Sequence, residues 1–480
     1  MTLWFDVTDI HNWTHPHLTG IQRTSIGVLS ELLAIRKDIQ LFVFVPTDNV
    51  LRRVEVHSLP EIVRDCIFWE KPPLSHGMAP ISYAPKASFP ARARGYIFRT
   101  SRSLKASFRR QPRRWFGPEI THALKEALKG AGNLFRTIRR KLFGAGPSAR
   151  TSSPAFMSVS PESVLFKRGD VCISLSATWG LPHYGDTIAA NTRQSGAKCI
   201  NLIYDLIPTL YPQWVLPDHH VFITAWVRQQ IENADLILTI SEFQKKEISK
   251  YIADQRLSPK PIEFVQLGDN PNFQAYATGD EPLPFPRFVP DREFAIFVST
   301  IDVRKNHGLL YNVWCRLAEE LGSQCPQLLL IGSEHLHVSD ILYQIRNDSR
   351  VKGLVVHLRN ITDKELAWYY RHCAFTIYPS IYEGWGLPIS ESLSLGRYCI
   401  AGNRTSLPEA GGDLVDYFDP FDFAGCYKLV YRAVTDPDYI RQCEERIRTN
   451  YVPHTWAMTA AHISEIVDRI GGLDRQAAVG

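Results

Sequence analysis

The sequence predicts an α/β fold made of two parallel-sheet halves, and three observations carry that reading. Short apolar runs alternate with amphipathic stretches, the pattern of β-α-β units whose strands are covered on both faces. The stretch 276–292 holds Pro282, Pro284, Pro286 and Pro290 with Gly279. So many prolines leave few backbone donors for a sheet, and the stretch reads as a linker. A length of 480 residues, 45% hydrophobic and 21% charged, suits two or more domains with real cores at roughly 100–200 residues each.

In the first half the runs at 3–7, 39–45, 171–175, 199–204, 236–240 and 261–265 read as strands, with helices between them, including 221–234 and 241–252. In the second half strands are expected at 294–298, 328–331, 354–357, 375–378, 398–401 and 414–418. A helix starts at Thr362, where Glu365 completes a capping box: the hydroxyl takes a free N–H of the first turn and the carboxylate reaches back. A last helix covers 455–470. The expected organisation is a first domain over 1–275 with a basic insertion at about 85–165, a linker over 276–292, a second domain over 293–454, and a crossing helix and tail over 455–480. Both domains read as Rossmann-like. Open sheets of this kind bind ligands outside the carboxyl ends of their strands, so two facing sheets frame a central cleft.

The formal net charge of +5 is unevenly held. Residues 92–141 contain 15 Lys and Arg against Glu119 and Glu126, a net of +13; the other 430 residues hold 39 cations against 47 acids, a net of −8. An acidic body with one basic belt argues against a nucleic-acid binder, which spreads positive charge over a binding face. In the belt Phe98, Phe108, Trp115 and Phe116 interleave with the cations, as in helices that lie on membranes. Three readings of the belt stay open: a solvated insertion, a contact with an anionic membrane surface, or a grip on an anionic acceptor. The membrane reading is preferred.

Nine cysteines are scattered singly, none in C-x-x-C spacing. They read as reduced, buried thiols, not a disulfide scaffold or a zinc site. The start, MTLWFDVTDIHNW, lacks the basic and apolar regions of a signal peptide. No apolar run approaches the ~20 residues a membrane-spanning helix needs. The expectation is a cytoplasmic protein, with the belt as the candidate contact to the inner face of the membrane.

The most informative chemistry lies in 375–419. A strand, FTIYPS, leads into IYEGWGLPISESLSLG. Gly384 and Gly386 let the backbone approach a ligand closely, and Pro388 suits the first turn of the helix that follows. Free N–H groups at the start of that helix, with its positive dipole end, make an anion site at 384–387, including Trp385 and Leu387. Glu383 precedes that site and Glu391 lies one turn inside the helix. An anion site between two carboxylates suits a nucleotide-sugar, with sugar hydroxyls on one side, diphosphate in the middle and ribose hydroxyls on the other. Alone, each acid also fits a solvated loop residue or a first-turn Glu favoured by the dipole.

The run 294–419 resembles the C-terminal domain of retaining GT-B glycosyltransferases of family four, the group 1 glycosyl transferases. That family carries two donor-site Glu eight positions apart, as Glu383 and Glu391 are. FVSTIDVRKNHGLL resembles its first strand and phosphate-binding turn, with Lys305 at the position of the Lys that contacts the donor diphosphate. The family often has Arg where Thr300 stands, and Arg304 is the candidate substitute. LLLIGSE, ITDKELAWYYRHCAF, SLPEAGGD and YFDP continue the resemblance in order. In the first half FDVTDI and TGIQRTS resemble the family's first strand and cleft-facing glycine loop, with Gly20 in the loop and Arg23 beginning the helix behind it. NLIYDLIPTLYP resembles a segment in which many members have His-Asp; here Tyr204 precedes Asp205. ILTISEFQKKEI resembles a serine-containing loop, with Ser241 in it.

The resemblance implies a GT-B fold and transfer of a sugar with retention, from a nucleotide-diphosphate donor to a saccharide or lipid-linked acceptor, with no metal or other cofactor. It implies Glu383, Lys305 and Asp205 as catalytic residues and Arg304, Gly384, Trp385, Gly386, Leu387 and Glu391 as the donor site. Gly20 and Arg23 would face the donor phosphate or the acceptor. GDP-mannose is the first expectation for the donor and UDP-glucose the second. Two rivals remain: a catalytically silent scaffold in a polysaccharide assembly complex, and a nucleotide-sugar epimerase. His15-Pro16-His17 and His335-Leu336-His337 have ligand-like spacing but no neighbouring Cys or carboxylate cluster, so no metal site is expected.

Overall fold

The computed structural model describes residues 1–14, 19–67, 163–164, 166–269, 283, 285–335 and 337–477, with side chains as far as residue 472. The belt at 92–141, the His15–His17 pair and much of the 276–292 linker lie outside the described residues. Two separate sheets organise the chain. The first has the order β3-β2-β1-β4-β5-β6-β7, with β1 Leu3–Asp6, β2 Ile39–Val45, β3 Val50–Val54, β4 Val171–Ser174, β5 Lys198–Leu202, β6 Leu236–Thr239 and β7 Ile262–Phe264. The second has the order β10-β9-β8-β11-β12-β13, with β8 Phe294–Val298, β9 Gln327–Ile331, β10 Val355–Leu358, β11 Phe375–Tyr378, β12 Cys399–Gly402 and β13 Asp416–Phe418.

Among the named strands every pairing is parallel except β2 with β3. The parallel strands read as continuous apolar runs because helices cover both faces. β3 escaped the sequence reading. Its Arg52 and Arg53 break the apolar run, which an antiparallel edge strand tolerates because only part of it meets the core. Asn49, in the left-handed region at φ 52°, turns the chain back into it. The 92–141 belt therefore falls, in chain order, between the helix Glu61–Ile67 that follows β3 and the strand β4.

The capping box at Thr362 is present, with Glu365 N–H donating to the hydroxyl at 3.2 Å and Thr362 N–H to the carboxylate at 3.0 Å. All nine cysteines are free thiols; eight are buried and Cys66 is exposed. Among the described residues, no helix is long and apolar enough to cross a membrane.

The strand order reverses between β1 and β4 in the first sheet and between β8 and β11 in the second. Ligands of open sheets gather at such points, outside the carboxyl strand ends. The last helix, Trp456–Ala477, returns to the first sheet: Ile463, Ile466 and Val467 are buried in its core beside Val28 and Leu29. Arg36 ties it down through Asp468 at 2.7 Å. At its start, Trp456 wedges against Gly27 and Gly268, where an added Cβ would meet the indole at 2.7 and 2.6 Å. Replacing Gly27 by Val forces the wedge out. We expect a loss of about 1–3 kcal/mol in denaturant unfolding, while Gly180→Ala, at an exposed position where an added Cβ meets nothing within 4 Å, should cost far less.

Candidate active site

The turn after β8 is built by Asp302, whose carboxylate accepts Arg304 N–H at 3.0 Å and starts the short helical turn Val303–Lys305. Asn306, left-handed at φ 62°, then redirects the chain into the helix His307–Leu321, and its side-chain amide donates to Pro420 O at 2.8 Å. The loop after β11, the neighbouring strand, runs beside this turn and is joined to it by Ile381 N–H donating to Arg304 O at 2.8 Å. Its far end is the helix Leu387–Ser394, with Gly386 at the N-cap and Pro388 in the first turn.

Three charges meet where turn and loop touch. Arg304 Nη1 donates to Glu383 Oε2 at 2.8 Å and to Tyr382 O at 2.9 Å. Lys305 Nζ pairs with Glu383 Oε1 and donates to the Tyr378 hydroxyl at 2.8 Å; that hydroxyl donates to Glu383 Oε1 at 3.0 Å. Lys305 and Glu383 are each 7% exposed. Burial alone would raise the Glu383 carboxyl, but Arg304 and Lys305 outweigh it and hold it at about 2. Burial and the Arg304 charge bring Lys305 down to about 8 against the pull of Glu383. Burying a charge is costly unless it is paired, so the single carboxylate is what lets two cations occupy this corner.

The first sheet contributes the facing side. A Cβ on Gly384 would lie 3.1 Å from Tyr204 O and 3.3 Å from Asp205 Cβ, so only glycine lets these segments meet without displacement. Asp205 accepts Ile207 N–H at 2.9 Å; burial raises its carboxyl, with Arg304 opposing. Tyr204 donates its hydroxyl to Leu175 O at 2.9 Å and so is tied to the end of β4. Ser241 caps the helix Glu242–Asp254 by accepting Gln244 N–H at 3.1 Å, and donates to Gly384 O at 3.1 Å.

Arg23 is the fourth residue of the helix Gly20–Ile35 rather than its start, and it reaches Asp363 of the second half at 3.0 Å. Gly20 opens that helix; a Cβ there would find only Leu387 Cδ1 at 3.8 Å, an ordinary contact, so no described atom requires glycine at this position. Thr300 is exposed, and Arg304 is the second cation beside Glu383. Trp385 and Leu387 pack with the first sheet's core, which makes Trp385 a packing residue. Glu391 is buried and accepts from the Tyr370 hydroxyl at 2.9 Å; burial raises its carboxyl to about 7 against the nearby Arg23.

Several residues of this region escaped the sequence reading. Tyr378 reads in the sequence as a strand residue, and its position at the carboxyl end of β11 is the signal that sets it apart. Thr405 and Ser406 hold the loop: Glu383 N–H donates to Thr405 Oγ1 at 3.1 Å, and Ser406 Oγ donates to Trp385 O at 2.6 Å. Tyr382 and Gln244 meet at 3.2 Å. His335 lies 2.9 Å from Asp302, and no group of three or more potential metal-ligand side chains converges among the described residues.

A half-buried Arg304 and a buried Lys305 thus lie beside a helix start at the switch point of a parallel α/β sheet. Residues 283–448 match the model of the family described as glycosyl transferases group 1. Among similar curated proteins, the serotype-specific mannosyltransferase WbdA of Escherichia coli is 27% identical over 271 residues, 55% of this chain and 32% of WbdA. The O-antigen chain mannosyltransferase B of Escherichia coli is 25% identical over 256 residues, 50% of this chain and 62% of that protein. The chain thus spans 32% of one of these relatives and 62% of the other. An α,α-trehalose-phosphate synthase (UDP-forming) from Burkholderia xenovorans superposes with a TM-score of 0.48 at 14% identity, covering 63% of this chain and 74% of that one.

The Glu391 carboxyl yields a pH prediction. Its folded value near 7 lies above the ordinary 4.5, so between those values the folded chain keeps a proton that the unfolded chain releases. Stability from this group falls as pH rises from about 4.5 to 7 and is level above that. Glu391→Gln should gain on the wild type across this window when denaturant midpoints are compared at pH 5 and pH 8; parallel midpoints would sink the assignment.

Proposed function

We propose that the chain is a retaining glycosyltransferase that moves a hexose from a nucleotide-diphosphate sugar to a polysaccharide or lipid-linked oligosaccharide, with no resident metal or cofactor. The observation that carries the reading is the half-buried Arg304 and buried Lys305 beside the helix start at 384–387, inside the segment that matches group 1 glycosyl transferases. Loss of a nucleoside diphosphate from a sugar develops negative charge on phosphate. Preorganised cations and N–H groups aimed at that charge are the most effective help a protein can give it. Glu383 pairs with both cations and neutralises one of the two charges. An arriving diphosphate then competes with it for Arg304 and Lys305, which leaves the carboxylate near the transferred sugar. Glu391, holding a proton near neutral pH, suits ribose hydroxyls.

In the preferred mechanism the bond from the sugar C1 to phosphate oxygen breaks, and the acceptor oxygen bonds C1 on the same face. The acceptor proton passes to the departing phosphate oxygen. Asp205, on the first-sheet side, orients the acceptor hydroxyl. Mannose from GDP-mannose is the favoured donor because both relatives are named mannosyltransferases; UDP-glucose is the second candidate. Tyr204 in place of the family's His, with its hydroxyl held by Leu175 O, favours a silent scaffold as the competing reading.

A thermal-shift panel of GDP, UDP, GDP-mannose and UDP-glucose, followed by acceptor-dependent nucleotide release, separates these readings. Lys305→Ala should lower transfer by about 10²–10³-fold, the range for losing one preorganised charge-stabilising group. Nucleotide binding with no transfer in the wild type would select the scaffold.

The belt at 92–141 is proposed as a contact with anionic lipid, on the support of its composition. Co-sedimentation with phosphatidylserine vesicles should fall when Arg109, Arg110, Arg113 and Arg114 are neutralised. Equal recovery on neutral vesicles would end that proposal.

A further inference from the structure

The helix Glu242–Asp254 begins at the seam between the halves, and its first N–H groups are not all satisfied from its own sheet. Ser241 takes Gln244 N–H. The other two go across the seam to one carboxylate: Glu242 N–H donates to Glu409 Oε2 at 2.7 Å and Phe243 N–H to Glu409 Oε1 at 2.7 Å. Helix starts leave such donors unpaired and carry the positive dipole end. A carboxylate supplied there makes two short charge-assisted bonds.

Glu409 sits in the short helix Leu407–Gly411. Directly before it, Thr405 Oγ1 accepts Glu383 N–H, and Ser406 Oγ donates to Glu383 O at 3.0 Å. One segment, 405–409, therefore holds the Glu383 loop at one end and the first sheet's helix at the other. The same seam carries Ser241 on Gly384 O and Gln244 on the Tyr382 hydroxyl. Glu409 is exposed, so water can replace it on both N–H groups. The contact can therefore open without leaving a buried donor unpaired.

We infer that Glu409 is a positioning residue for transfer: its carboxylate latches the helix Glu242–Asp254, and with it the Asp205 side of the site, onto the Glu383 loop. The inference rests on the glycosyltransferase reading. The donor-binding groups proposed above lie almost wholly in the second half, so loss of the latch should spare donor affinity and slow turnover.

The test uses the full chain as wild type, Glu409→Gln, Glu409→Ala and Glu409→Asp. GDP and UDP affinities are measured by calorimetry, kcat by nucleotide release from GDP-mannose and UDP-glucose, and domain separation by small-angle scattering. Glu409→Gln and Glu409→Ala should lose at least tenfold in kcat, keep nucleotide affinity within about twofold, and raise the radius of gyration. Glu409→Asp, which keeps the charge, should recover part of both effects. Unchanged kcat and scattering would overturn the inference, as would a parallel fall in affinity, kcat and Tm. If the wild type releases no nucleotide from either donor, the glycosyltransferase reading fails instead. The latch is then judged on scattering alone: a larger radius in Glu409→Gln supports it and an equal radius rejects it.

Discussion

Everything at the cleft depends on one buried carboxylate between two cations. Arg304 and Lys305 adjoin each other on a tight turn, and Lys305 is nearly fully buried. Without Glu383 they would repel each other in a poorly solvated corner. With it, the cluster keeps a net positive charge and a defined geometry. That preorganisation separates a site from a surface patch of basic residues, whose charges water and salt would screen.

The backbone around the cluster serves the same end. Asp302 and Asn306 shape the turn that carries the cations; Thr405 and Ser406 clamp the loop that carries the carboxylate. Gly384 removes the Cβ that would hold Tyr204 and Asp205 away. These bonds hold charged side chains in place through the main chain, which is stiffer than long side chains crossing open solvent. The two halves meet through polar contacts and through apolar ones: Tyr382 lies against Tyr211 and Phe243, and Trp385, Leu387 and Ala410 pack with the first sheet's core.

Much of this was legible in the sequence where one residue type has one physical use. The parallel strands announced themselves as apolar runs, the Thr362–Glu365 box as a helix start, and the glycines before Pro388 as a close-approach loop. Glu383, Arg304 and Lys305 were readable as a set through the resemblance to group 1 glycosyl transferases. What escaped depends on partners distant in the chain. Tyr378 reads as an ordinary strand residue until Lys305 and Glu383 are seen on its hydroxyl. Arg23 reads as a solvated helix residue until Asp363 is found 340 positions away. Glu409 looks like a first-turn acid of its own helix, yet its carboxylate serves another helix. β3 was hidden because an antiparallel edge strand need not be apolar throughout.

By itself the sequence determined the class of fold and nearly every strand, and it set Arg304, Lys305 and Glu383 together as candidates. Periodicity, capping and glycine placement are local, and each acts over a few residues. Only the tertiary structure decided which acid neutralises which base, that Tyr204 is tied to β4, that Trp385 packs into the opposite half, and that one carboxylate joins the two sheets. Those outcomes rest on distances and burial between segments far apart in the chain. A one-dimensional pattern carries no information on the local dielectric that makes a buried charge pair strong or a solvated one weak.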